Sequence, residues 1–526
     1  MQRQWGQHAP PPSDGVPQST WLLVLVIAVL TGALQFQNGS YDPAAIGWLA
    51  AACLITTWIV FQTPAKPWLL LAGLLVVAFI QMGPLAWNRE LYQQTSPAYL
   101  GSWMWVPITT IPLLWIGVSG NRQRLPLAGM LAIIGGDWVI LSYTHFNFFT
   151  QISPALYGEK WWIMPASGYL AILSAGMLWK TLSVRQLSFI ILWITMCCLG
   201  LWIIHLISHP PIDTWPWGQK GAAALLHGHN PYAITIRDIY PPGSPYYAPG
   251  VVQHGRVMVG YVYPPLSLLT DTAGYLAGGD FRYAELAMFM VSSMLLAIVT
   301  DFSRAGLLGA TVLLLVPQAF FVVAMGWIEP CVLLMFMVLI VLARWKPGWM
   351  GVGFALFLVS KQYVFLAAPL VIILWPRPIR RDFIIRFCIQ AAITGCAINL
   401  PFLLWNPHAF FNSVVPRHIF RLDSLSLASY WAHQTGHWPP AWLWWGTVGL
   451  VNGICLWRLP RRPWAFAFGT ACVYLTFFVG ASEAFDNYYF LILCLFCIAL
   501  ALRLHEQYPA TQETPPLRQQ PAELPG

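Results

Sequence analysis

Charged residues make up only 9% of this 526-residue chain, and 58% of it is hydrophobic. An ordinary soluble domain carries about 25% charge. So little charge beside so much apolar surface excludes a water-facing globular fold. Also missing are a Walker phosphate loop, a Rossmann glycine fingerprint and any zinc-ligand spacing. With no soluble domain to hold it, a nucleotide-sugar donor bound in such a domain is excluded. The alternating short strands of a membrane barrel are absent as well, because the apolar runs are long and unbroken. A bilayer accommodates such runs, since about 20 apolar residues rising 1.5 Å each cross its core of ~30 Å. The expected fold class is all-α, a polytopic transmembrane helical bundle of about sixteen spans.

Cysteine chemistry is excluded next. All ten cysteines fall in expected spans and the outer loops have none, so no disulfide framework is implied. Cys494-x-x-Cys497 lies in an apolar helix without His or carboxylate partners, and reads as packing. The net charge of +8 needs no nucleic acid. Short basic loops beside anionic lipid account for it.

A polar, Pro-rich tail (1–20) leads into a run at 21–36 that reads as a retained span, since it lacks the basic start of a cleavable signal. Further runs at 43–62, 67–87, 98–118, 125–143 and 162–181 complete a six-helix N-terminal extension over 21–184. A second module, 185–505, holds runs at 185–207, 282–301, 305–325, 329–344, 348–360, 363–376, 383–404, 441–457, 463–482 and 487–503. The runs on either side of Lys361 are shorter than a full crossing. The tail 506–526 is Pro/Gln/Glu-rich and reads as disordered. Two polar regions, 208–263 and 406–440, interrupt the module, and an apolar stretch after Pro265 reads as re-entrant or interfacial. With the N-terminus inside, the inner side takes 18 of the Lys and Arg residues and the outer side 9. Both termini are therefore expected in the cytoplasm and both polar regions outside.

Acidic residues are few, so their placement informs. Asp213, Asp238, Asp271, Asp280, Glu285, Glu329, Asp423, Glu483 and Asp486 all fall on or near the outer face in this topology. Carboxylates at several outer helix ends, beside Trp- and Tyr-rich loops, suggest a site at the membrane interface. The plain alternative is solvated acids in loops that lack Lys and Arg for topological reasons. Asp137, within the fifth span, is costly in lipid and is either functional or packing glue. Asp423-Ser424-Leu425-Ser426 either contacts a substrate or caps a helix.

The strongest local signal is Ile212-Asp213-Thr214-Trp215. It is followed by a run of small residues from Gly218 to Leu226, then His227-Gly228-His229-Asn230-Pro231-Tyr232, and later Val262-Tyr263-Pro264-Pro265-Leu266. An Asp emerges at the membrane surface, a short helix and a Gly/Asn-Pro turn follow, and a double proline then starts a helix at a fixed position.

This order, with Ser360-Lys361-Gln362 between two short helices and Phe485-Asp486-Asn487-Tyr488-Tyr489 at a late helix end, resembles the GT-C superfamily of integral membrane glycosyltransferases. Within it, the chain is most similar to the polyprenyl-phosphate-mannose-dependent mannosyltransferases of glycosyltransferase family 87, over roughly Leu192 to Arg503. The resemblance implies transfer of a sugar, mannose, from a polyprenyl-phosphate donor to a lipid or glycan acceptor outside a bacterial plasma membrane. Asp213 is the implied general base. It departs from the family in the six spans before Asp213, and in Gly326-Trp327-Ile328-Glu329-Pro330, which stands where Gly-Gln is usual.

An acceptor hydroxyl needs its proton taken in the transition state, which a carboxylate within reach can do. The leaving lipid phosphate needs cations or donors, and Lys361, Arg417, His418, Arg421 and His433 are candidates. Each could equally be an interface anchor. Tyr263, Glu329, Asp423 and Asp486 are the other expected substrate contacts. No cofactor or metal site is expected, although Asp213 with a second outer carboxylate could hold a divalent ion. A secondary transporter or flippase is the alternative function, but the chain shows no internal repeat and its charges gather at one face. A third reading is a non-catalytic scaffold whose loops bind a partner.

Overall fold

The computed structural model describes residues 50–57, 181–241, 246–316, 318–415 and 426–507. Apart from helical residues 50–57, the six expected N-terminal spans and Asp137 lie outside the described residues.

The described chain is mostly helical. In order come α1 (Leu182–Leu206), α2 (Thr214–Leu226), α3 (Pro265–Gly278), α4 (Arg282–Val299), α5 (Arg304–Leu314), α6 (Gln318–Met325), α7 (Glu329–Trp345) and α8 (Met350–Leu358). A 3-10 helix (Gln362–Leu374) precedes α9 (Arg381–Trp405), α10 (Pro407–Val414), α11 (Leu427–Thr435), α12 (Ala441–Arg458), α13 (Pro463–Gly480) and α14 (Asp486–Gln507). Prolines open α3, α7, α10 and α13, where a missing N–H costs nothing. Ser303, Asn406 and Ser426 cap α5, α10 and α11 by accepting the backbone N–H of Gly306, Ala409 and Ser429.

Among the described residues five helices, α1, α4, α9, α13 and α14, are long and apolar enough to cross a membrane, or six if the bent pair α5 and α6 makes one span. The apolar runs of this module suggested about ten. The difference has a physical cause. The run 305–325 divides into two helices, and α7 has 17 residues, α8 has 9 and the 3-10 helix 13. These last three are shorter than α4 and α13, which qualify with 18 residues each, while α12 has 18 but is not apolar enough.

The core is centred on α13 and α14, whose apolar windows are 89% and 83% buried. They pack on each other, and α14 packs along α5 and α7. At the edge, the α9 window is only 11% buried. α9 rests on α8, and α12 rests on α13, leaving apolar faces directed outward.

The expected all-α class needs one correction. The first polar region contains a three-stranded antiparallel sheet in the order β1-β3-β2, from β1 (Ile236–Arg237), β2 (Val252–Gln253) and β3 (Arg256–Val257). His254 and Gly255 join β2 to β3 with φ of 50° and 72°. Two positive φ values are what a two-residue turn needs to match the twist of its strands. This sheet belongs to a second, smaller core with Trp217, Tyr232, Tyr261, Val262 and Leu268, closed by Phe402 of α9 and Phe410 of α10.

Gly326, between α6 and α7, has φ +70°, and a Cβ there would come 2.5 Å from Phe281 Cζ. Gly326→Ala is expected to cost roughly 1–3 kcal/mol through overpacking. For Gly446→Ala in α12, where a Cβ would meet nothing within 4 Å among the described residues, stability should hold or rise. Thermal unfolding of the two purified variants in one detergent checks the contrast.

Candidate functional site

Asp213, Asp271, Asp280, Glu285, Glu329 and Asp486, six of the carboxylates expected on the outer face, meet at one end of the bundle. This end collects the C-termini of α1 and α6 and the N-termini of α2, α4, α7 and α14. Arg282, fully buried, ties it together. Its guanidinium donates to both oxygens of Asp280, with NH2 2.7 Å from Oδ2, and to the carbonyls of Ala324 (2.7 Å) and Ile204 (3.2 Å). Those last two carbonyls belong to helix ends, whose C=O groups have no intrahelical partner. Asp301, Arg344 and His505 sit together at the opposite end, with Arg344 NH2 2.6 Å from Asp301 Oδ2. The separation of the two acidic groups by bundle end agrees with the sidedness expected from the sequence.

Asp213 immediately precedes α2 and is buried. Its side chain does not cap α2. It instead accepts the phenol hydroxyl of Tyr247 at 3.0 Å on Oδ2. The next residue, Thr214, donates to Met325 O at 2.9 Å, and Trp215 Nε1 reaches Asp280 Oδ2 at 3.4 Å. The start of α2 is thereby fixed to the end of α6 and the start of α4. Asp213 is therefore not one of the solvated loop acids of the plain alternative.

Lys361 lies where the helix is broken. Its backbone is extended (φ −156°, ψ 154°) between α8 and the 3-10 helix. The backbone groups around the break need partners, since water is not at hand to supply them. Ser267 Oγ donates to Ser360 O at 2.6 Å, and Gln362 Nε2 donates to Val262 O and Val414 O at 2.6 and 3.0 Å. Both outer loops are thus anchored to the break. The buried Lys361 ammonium donates to Glu329 Oε1. It also lies over the rings of Tyr488, Tyr263 and Tyr363, at 4.8, 5.2 and 5.5 Å from their centroids, within the range of cation–π attraction. Glu329 Oε1 further accepts Asn487 Nδ2 at 2.9 Å.

Tyr263 connects the two halves. Burial pushes its phenol well above the ordinary range, and Tyr488 and the carboxylates of Glu329, Asp213 and Asp271 add to the shift. The phenol stays protonated and is a hydrogen-bond donor within electrostatic reach of both Asp213 and Glu329.

Of the expected site residues, Asp213, Tyr263, Glu329 and Lys361 come together. Asp486 is buried at the start of α14, next to Asn487. Arg417, His418, Arg421 and Asp423 lie outside the described residues, as does the side chain of His433, whose backbone is in α11. Sequence reasoning missed Tyr247, Tyr363, Tyr488 and Asn487. The last two stand within the Phe485-Asp486-Asn487-Tyr488-Tyr489 motif, but only Asp486 was picked from it because charge was the criterion. Among the described residues no group of three or more His, Cys, Asp or Glu side chains could hold a metal ion.

Removing one member of a buried ion pair strands the other. Lys361→Met is therefore expected to cost about 3–5 kcal/mol, and the double variant Lys361→Met/Glu329→Gln to recover most of it. A double-mutant cycle of denaturant unfolding checks this, and additive losses would mean the two residues do not interact.

Compared with protein-family models, with curated proteins and with solved structures, the chain matches none. What stands is a mostly helical protein with several apolar helices of membrane-spanning length.

Proposed function

We propose that this protein is an inverting glycosyltransferase that moves a sugar from a polyprenyl-phosphate donor to an extracytoplasmic lipid or glycan acceptor, with Asp213 as general base. Mannose is the sugar that the family resemblance favours. In this reading residues 185–505 form a GT-C-like module, preceded by six further helices, in a bacterial plasma membrane with both termini cytoplasmic. The observation that carries it is the buried Asp213 carboxylate, oriented by Tyr247 at the bundle end that also holds Tyr263, Glu329 and Lys361.

In the reaction, the acceptor oxygen attacks the anomeric carbon from the side opposite the phosphate, and Asp213 accepts the hydroxyl proton. The C–O bond to the lipid phosphate breaks, and the phosphate leaves as an anion that needs no proton. The protonated Tyr263 phenol donates to a substrate oxygen. Lys361 is already paired with Glu329 and enclosed by three tyrosine rings. Its part is to hold Tyr263 and Tyr488 in place, so the charge on the leaving phosphate falls to Arg417, His418 and Arg421 of the second outer loop.

A secondary transporter or flippase is the second reading, and the helix broken at Lys361 favours it, because broken spans frame many transport sites. Sugar transfer from synthetic polyprenyl-phosphate mannose by purified protein separates the two. Transfer is expected for the wild type and none for Asp213→Asn, with unchanged folding. Equal transfer by both would move the base elsewhere. Absence of transfer, with substrate flux in proteoliposomes, would select the transporter. Tyr247→Phe should lower the rate about tenfold, since the bond orienting the base contributes roughly 1–2 kcal/mol.

A further inference from the structure

Two carboxyl groups behind the site have no place in that chemistry. Asp271 on α3 and Glu285 on α4 are both completely buried where these helices pack together. Their side chains are within hydrogen-bonding reach of each other. Asp271 Oδ2 accepts the Tyr261 hydroxyl at 2.6 Å. Of the remaining three oxygens, Asp271 Oδ1 receives no hydrogen bond among the described residues, and Glu285 has near it only the Cys331 backbone N–H, which is already given to Ile328 O at 3.1 Å.

The groups that act on the pair are Tyr261 and Asp280 on Asp271, and Glu329 and the Cys331 backbone N–H on Glu285. Tyr232, Tyr263 and the Cys331 thiol lie within its field. None of these is a cation. Arg282, on the same helix as Glu285, is committed to Asp280 and two carbonyls. Two ionised carboxylates in contact, dry and without a counter-charge, repel strongly. One proton resolves both the repulsion and the missing donor.

We infer that Asp271 and Glu285 bind a single proton between them, and that this acid pair positions Tyr261 and with it the Tyr261–Pro265 wall of the candidate site. Glu285 carries the proton and donates it to Asp271 Oδ1, while the Asp271 carboxylate accepts from Glu285 on one oxygen and from Tyr261 on the other. The Tyr261 ring packs edge-on against Tyr232 and Tyr263, with centroids 6.1 and 5.7 Å away. Tyr263 in turn lies beneath Lys361. The inference does not depend on the transferase reading.

The pH dependence follows. Burial pushes the Asp271 carboxyl up to about 7, against the pull of its hydrogen bonds. The folded protein therefore holds more protons than the unfolded chain above the ordinary carboxylate range near ~4. As pH rises through about 7 Asp271 is the first of the pair to lose its proton, and Glu285 keeps the shared one; the pair's contribution is complete below the ordinary range and declines as pH rises above it.

The test uses the full-length protein in lipid nanodiscs. Its infrared spectrum near neutral pH should contain the carbonyl stretch of a protonated carboxylic acid, shifted in D2O and lost in Glu285→Gln. That variant supplies a permanent donor, so it should fold, and its thermal stability should fall less between about pH 5 and about pH 8 than that of the wild type. Glu285→Ala, with no donor, should be less stable than both throughout that range. An unchanged band in Glu285→Gln, or the same pH slope in both proteins, would overturn the inference. So would a stabilisation by Na⁺ or Ca²⁺ that the wild type shows and Glu285→Gln lacks, because the pair would then hold a metal cation. If Glu285→Gln does not fold, Asp271→Asn is read instead. Its amide can donate to an ionised Glu285, and the band should again be lost.

Discussion

A charge buried in an apolar bundle must be answered by another charge or by aligned dipoles, and the Lys361–Glu329 pair is where this protein meets that demand. Glu329 begins α7, where the helix dipole favours a negative group. Lys361 arrives from a break between two short helices. Asn487, at the start of α14, contributes a third contact. Three separate elements therefore converge on one carboxylate, and three tyrosine rings fill the space around the ammonium. The broken helix is tolerable because Ser267 satisfies the freed carbonyl of Ser360, while Gln362 beside the break donates to Val262 O and Val414 O. Those bonds bring the ends of both outer loops to the same point. The ion pair, the break and the placement of the loops are one arrangement.

The outer layer uses a different adhesive. Its small core is aromatic, with Tyr232 edge-on to Tyr261, Phe402 and Phe410. Aromatic rings suit an interface because one end is apolar while the hydroxyl can be wet or bonded. Tyr232 shows both halves of this. Its ring is enclosed, and its hydroxyl donates to Tyr263 O at 3.0 Å. Ser413 stitches the second loop to the first, donating to Tyr232 O and accepting from Gly260 N–H.

Much of this was legible in the chain, for reasons that differ from residue to residue. Hydropathy exposed α1, α4, α13 and α14 because each carries a long apolar run. Asp213 stood out since few acids compete with it, and its position just before a short helix is what the structure has. The break at Lys361 was visible as two runs too short to cross. The division of 305–325 into α5 and α6 was overlooked because hydropathy alone was followed, although Pro317 between them is a helix-breaking signal. The sheet was missed since two-residue strands leave no periodic pattern. Only His254-Gly255, between Val252-Gln253 and Arg256-Val257, carried a turn signal. The Asp271–Glu285 contact was hidden for a further reason: the two residues lie on different helices, and sequence spacing says nothing about which faces meet.

α9 is the least enclosed of the long helices, yet it is wired into the outer layer. Phe402 near its end belongs to the aromatic core, and α10 follows at once with Phe410 and Ser413. Its 25 residues extend about 37 Å at 1.5 Å each, longer than a hydrocarbon core of ~30 Å. A helix in that position relieves the mismatch by tilting, and the tilt varies with bilayer thickness. Because α9 ends in the core that carries Tyr232 and Tyr261, any change in its tilt would be passed to the segment that leads to Tyr263.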